Sequence, residues 1–132
     1  KQMGQWYTGD DVPWCGLYVA HCMSVGAPLV PQDFNRLGAR NWLEYGVRCD
    51  AGFGAIAVFW RTHKTKSWHG HAGFIVGGSG GHLHILGGNQ GDMVSVIAMP
   101  RDQLLGCVAP PGFIPAMPLK PSPLVGMAGK LS

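Results

Sequence analysis

Cys15 follows Pro13 and Trp14 in "VPWCGLYVAHC". Pro is tolerated in the first turn of a helix and not deeper. Leu17, Val19, Ala20 and Met23 then recur at spacings that suit a buried helix. This places Cys15 at a helix front, where free backbone N–H groups and the positive end of the helix dipole favour a thiolate. The chemistry on offer is nucleophilic attack. The plainer reading is a small core residue, because free Cys is among the most buried types. Asp10 and Asp11 favour the helix start electrostatically.

A thiolate nucleophile needs a base, and the base needs an orienting partner. Six histidines are available: His21, His63, His69, His71, His82 and His84. In "GHAGFIV", His71 opens a strand after Gly70, a residue small enough to leave room for a substrate backbone. "LGGNQGD" ends the next strand at Asn89, whose amide could fix the His71 tautomer if the hairpin register sets the two side by side. Trp14 and Trp68 join Gly70 as candidate substrate contacts. Trp42 and Trp60 read as core or groove aromatics. His21 reads as a partly exposed helix residue.

Two other chemistries compete. His69 and His71 alternate, as do His82 and His84, so two adjacent strands could ligate zinc. No Asp or Glu lies within either strand to complete the set. The abundance of Gly (21) and Trp (5) would also suit a non-catalytic wall- or carbohydrate-binding module. The long helical first half argues against a small all-β module.

The elements that must position these residues follow from pattern. Trp14 to about Val25 is one helix, stopped near Gly26 and Pro28. "PQDFNRLGARNWLEYG" predicts a second helical region, with Leu37, Trp42 and Leu43 on its apolar side, Gly38 weakening it and Gly46 ending it. "GAIAVFWR" predicts a central strand. A strand at about 71–76, the hairpin connection "GGSGG", "HLHILGG" and "MVSVIAM" continue a meander. "RDQLLGCVAP" returns toward the sheet as a turn and a short strand. Helices followed by an antiparallel meander define the α+β class.

The chain of 132 residues suffices for one core, taken as 1–110. Residues 111–132 form a Pro-rich tail, an extended wrap or a linker. Hydrophobic residues make up 46% and charged ones 13%, which excludes a disordered chain. The formal charge of +3 is scattered, with no basic stripe for nucleic acid. No apolar run is long enough to span a membrane. None of the four cysteines, Cys15, Cys22, Cys49 and Cys107, makes a CxxC pair. Cys15 and Cys22 lie too far apart along a helix to bridge. A Cys49–Cys107 bridge stays open, since connectivity cannot be read from sequence.

Taken in order, "PWCGLYVAHCMSVG", "LGARNWLEYG", "GAIAVFWR", "GHAGFIVG", "LGGNQGDMVSV" and "LLGCVAP" resemble the NlpC/P60-like and CHAP-like cysteine peptidases, especially their small bacterial and phage-associated branch. The likeness covers about 11–110. It implies a papain-like α+β fold, with N-terminal helices packed on an antiparallel sheet. The implied activity is hydrolysis of peptidoglycan amide bonds, by a stem-peptide endopeptidase or an N-acetylmuramoyl-L-alanine amidase. It would serve as a housekeeping enzyme, a phage lysin or an antibacterial effector toxin, the last with an inhibitory immunity protein as partner.

On this likeness Cys15 matches the nucleophile and His71 the base. The third position is Asn89 if the chain is CHAP-like, and His84 or His82 if it follows many NlpC/P60 members; Asn89 is preferred. The family's Gly-Asp before its first strand is Gly54-Ala55 here. No metal or organic cofactor is implied, and the expected state is a monomer. The expected place of action is the periplasm or the extracellular wall. No signal peptide is visible and Lys1 stands first, so the chain is expected to be a processed piece, delivered by other machinery.

Overall fold

The computed structural model describes residues 14–36, 38–61, 64–65, 70–89, 93–126 and 128–130. Among the described residues one α-helix, α1 (Trp14–Gly26), precedes seven strands: β1 (Val47–Arg48), β2 (Ile56–Trp60), β3 (Gly70–Ser79), β4 (His82–Asn89), β5 (Met93–Pro100), β6 (Leu104–Ala109) and β7 (Ala128–Lys130). Two short 3-10 helices, Ala39–Glu44 and Arg101–Gln103, complete the set. The strands form a single sheet in the order β1-β6-β2-β3-β4-β5-β7, and every ladder is antiparallel. The expected α+β class and the β2–β5 meander are both present.

The second helical region is corrected. Among its described residues only Ala39–Glu44 is helical, and it is a 3-10 turn; Leu37 lies outside the described residues. The Asn41 side chain donates to the Asn35 carbonyl at 2.9 Å, and the Gly38 N–H bonds the same carbonyl at 3.3 Å. These local bonds compete with an α-helical ladder, and Gly38 adds the usual entropic cost. The hairpin connection is also shorter than "GGSGG": β3 runs through Ser79, and the turn is Gly80-Gly81, with Gly80 at φ 59. That left-handed conformation is cheap for Gly alone.

Side chains alternate across a strand, so β2 supplies two cores. Ile56 and Val58 face α1, where they pack with Cys15, Val19, Ala20, Trp42, Tyr45, Ala72 and Val108. Ala57 and Phe59 face the other side, with Ile75, Leu83, Ile85 and Cys107. Burial of both faces is why "AIAVFW" is an unbroken apolar run rather than an alternating one. α1 lies over β3 and β4.

The Pro-rich segment takes the extended-wrap course and packs onto the sheet. Ala116 bridges Phe53, just before β2. The Gly78 N–H of β3 then donates to the Lys120 carbonyl at 3.0 Å. The Ser122 N–H donates to Nδ1 of His84 on β4 at 2.9 Å. Val125 pairs with Val96 of β5, and β7 adds beyond β5 as an antiparallel edge strand. The segment thus runs from the chain entering β2 across three strands, β3, β4 and β5, and Leu119 seals the second core. Proline suits such a path, because an extended strap has no continuous ladder that needs its missing N–H.

Candidate active site

Cys15, Gly70 and His71 lie at one end of the sheet. α1 begins there with Trp14 and Cys15, β2 ends there at Trp60, and β3 begins there with Gly70 and His71. The register pairs Phe59 with His71 and Trp60 with Gly70. On the other side of β3, Phe74 pairs with Leu86 and Ile75 with Ile85. The ladder runs only as far as Phe74–Leu86; the same register carried three residues further would set position 89 opposite position 71.

Cys15 is 5% exposed. Burial pushes its thiol above the ordinary value of 9.0. Backbone N–H groups of Ala72, Gly16 and Cys15 itself, with the positive charge of Arg61, pull the other way. Two of those donors are free amides of the first helical turn, which have no partner within the helix. The expectation that the helix front favours a thiolate is corrected here: burial outweighs the amides and Arg61, and the thiol stays above its ordinary range.

His71 is 7% exposed, and its pKa is lowered from 6.5 to about 4, first by burial and then by Arg61. Its Nε2 has no hydrogen-bond partner among the described residues. The imidazole extends toward β4: a Cβ at Gly87 would lie 3.6 Å from Nε2. Phe59, its cross-strand partner, belongs to the core opposite α1, whereas Ala72 belongs to the core with Cys15. Alternation therefore puts the His71 ring and the Cys15 sulfur on opposite faces of β3. The expectation that His71 points toward the helix front is corrected on this ground. The two residues share one end of the sheet, and the Ala72 N–H on the thiol belongs to the residue next to His71.

The alternative third residues lie elsewhere. His84 pairs with Gly77 and His82 with Ser79, at the hairpin end of β4. Five strand steps separate His84 from position 89, roughly 16–17 Å at the usual rise. His84 is instead occupied by the strap, through Ser122. Among the described residues, no three His, Cys, Asp or Glu side chains gather as a metal site. Trp68, His63 and His69 lie outside the described residues; of Trp14 and Asn89 only the backbone is described. Trp42 and Trp60 line the helix side, Trp42 fully buried and Trp60 half-buried. Arg61, which sequence reasoning passed over, acts electrostatically on both Cys15 and His71. Its signal was a cation immediately after an apolar strand.

The His71 shift has a consequence for folding. An imidazole at 6.5 when unfolded and about 4 when folded binds more protons in the unfolded chain between those values. Stability is therefore full above pH 6.5 and falls as the pH drops toward 4, by about 3 kcal/mol in all. Denaturant unfolding of the wild type and His71→Gln across this window checks it. The variant should lose that part of the pH dependence.

No protein-family model, curated protein or solved structure matches this chain. Among the described residues, no helix is long and apolar enough to cross a membrane.

Proposed function

We propose that this chain is a cysteine-dependent hydrolase of peptidoglycan amide bonds, on a papain-like frame of the NlpC/P60 or CHAP kind. The observation that carries the reading is the setting of Cys15: a buried thiol at the front of α1, packed against β3 at Ala72, where the Ala72, Gly16 and Cys15 amides favour the thiolate against burial. The same amides that stabilise a thiolate can hold the oxyanion formed when it attacks a carbonyl. In the proposed chemistry His71 takes the Cys15 thiol proton as the sulfur attacks the carbonyl, passes it to the leaving amine, and water then cleaves the thioester. Asn89 positions the imidazole. The His71 ring must come round the start of β3 to reach the thiol. The place of action is the periplasm or the extracellular wall, and an immunity protein would be the partner of an effector form.

The opposite facing of Cys15 and His71 favours a second reading, a wall-binding module without turnover. Digestion of purified peptidoglycan, with fragments identified by mass spectrometry, separates the two. Cut stem peptides mean an endopeptidase, and L-alanine amino ends with free lactyl groups mean an amidase. Tight wall binding without fragments overturns the hydrolase reading. Within it, Asn89→Ala should lower turnover with little change in KM, whereas His84→Ala should leave chemistry intact. The reverse ranking would restore the His-type third position.

A further inference from the structure

Cys49 follows β1 directly and lies beside β6. The β1–β6 register pairs Val47 with Ala109 and Arg48 with Val108. One step further, Cys49 stands opposite Cys107, and the Cys49 N–H donates to the Cys107 carbonyl at 3.0 Å. Directly opposed residues of an antiparallel pair have Cα atoms about 4.5–5.5 Å apart. A disulfide spans Cα separations of about 4.4–6.8 Å. Both side chains lie on one face, since Cys49 packs against the core that contains Cys107. Both are free thiols here.

We propose that Cys49 and Cys107 are a thiol–disulfide modification site, closed by exchange with a small-molecule disulfide such as oxidised glutathione. Cys49 is half-buried and Cys107 is 4% exposed, so Cys49 takes the first step. Its thiolate attacks one sulfur of the oxidant, forming a mixed disulfide and releasing one glutathione thiolate. The Cys107 thiolate then attacks the Cys49 sulfur. The protein disulfide forms and a second glutathione thiolate leaves. Two cysteine thiols are oxidised, two electrons reduce the glutathione disulfide, and the two protons pass to the released thiolates. The bond ties the chain entering β2 to β6, at the edge of the sheet.

The fold allows no competing internal pair. Cys15 packs in the core on the α1 side of the sheet, away from Cys49 and Cys107. Cys22 is on α1 and engages the Tyr18 hydroxyl. Along the helix, Cys15 and Cys22 are about 10 Å apart. Closure should be slow at neutral pH. Burial, then Asp50, pushes the Cys49 thiol up. Burial, then Cys49, pushes Cys107 to about 12, with Asp50 adding and Arg101 and Arg48 opposing. Exchange needs the thiolate, so the rate should rise with pH.

The test uses the whole chain in a glutathione redox buffer at mildly alkaline pH, followed by alkylation and non-reducing peptide mapping. The expected product has lost two hydrogens and contains a single linked pair, Cys49–Cys107, with Cys15 and Cys22 alkylated. Its unfolding midpoint should rise by on the order of 10 °C, a gain that reductant removes and Cys49→Ala never shows. A chain that equilibrates with excess oxidant and yields only mixed glutathione adducts, no oxidation, or a link through Cys15 or Cys22 overturns the proposal. Because the readout is mass and stability, it stands or falls apart from hydrolysis.

Discussion

If the proposed hydrolase mechanism holds, Cys15→Ala should abolish release of peptidoglycan fragments, by at least ~1,000-fold, while the chain stays folded. The expected loss is large because Cys15, as the proposed nucleophile, is the one group whose removal would leave no route to the thioester. The fold survives because the change deletes a single buried sulfur, a cost of about 1 kcal/mol in a core that keeps Val19, Ala20, Ile56 and Val58 around it. Cys22→Ala should keep near-normal turnover, since that thiol engages Tyr18 nearly two turns along the helix. The pH profile supplies a second check. Burial holds the Cys15 thiol above 9.0, so the wild-type rate should still be climbing at pH 9. Unchanged turnover in Cys15→Ala on the same substrate would remove the hydrolase reading.

The sequence was most legible where one residue type dominates a local choice. Gly26 and Pro28 announce the end of α1, and the helix stops at Gly26. The apolar run 55–60 announces a strand buried on both faces. What could not be read was side-chain facing. His71 lies at the expected strand start, yet a strand shows only alternation, not which set of alternates meets the helix. That is decided by tertiary packing: Ala72 and Phe74 were chosen by α1, Phe74 through an edge contact with Tyr18 at 6.4 Å. The strap was legible as extended but not as attached. Its anchors are backbone groups and His84 Nδ1, and backbone partners leave little trace in residue type.

Trp42→Ala should cost about 3–5 kcal/mol and lower the unfolding midpoint by about 15 °C. Trp42 is fully buried in the 3-10 turn that fills the angle between α1 and the sheet. Its ring meets Phe34 edge-on at 4.9 Å and Tyr45 at 5.2 Å, and its Nε1 donates to the Arg36 carbonyl at 3.2 Å. Alanine would leave a cavity against both rings and that carbonyl without its donor, and the two costs add. The damage should extend to the site. Cys15 and Ala72 belong to the same core cluster as Trp42, so loosening it lets the front of α1 drift from β3. Thermal melts and thiol alkylation check both halves: Cys15 should be labelled faster in the variant, at a temperature where both proteins are folded. Trp42→Phe keeps most of the ring volume and should lose less than half as much stability. A Trp42→Ala protein as stable as wild type, with Cys15 equally protected, would mean that the 3-10 turn merely covers the core and does not hold the helix front in place.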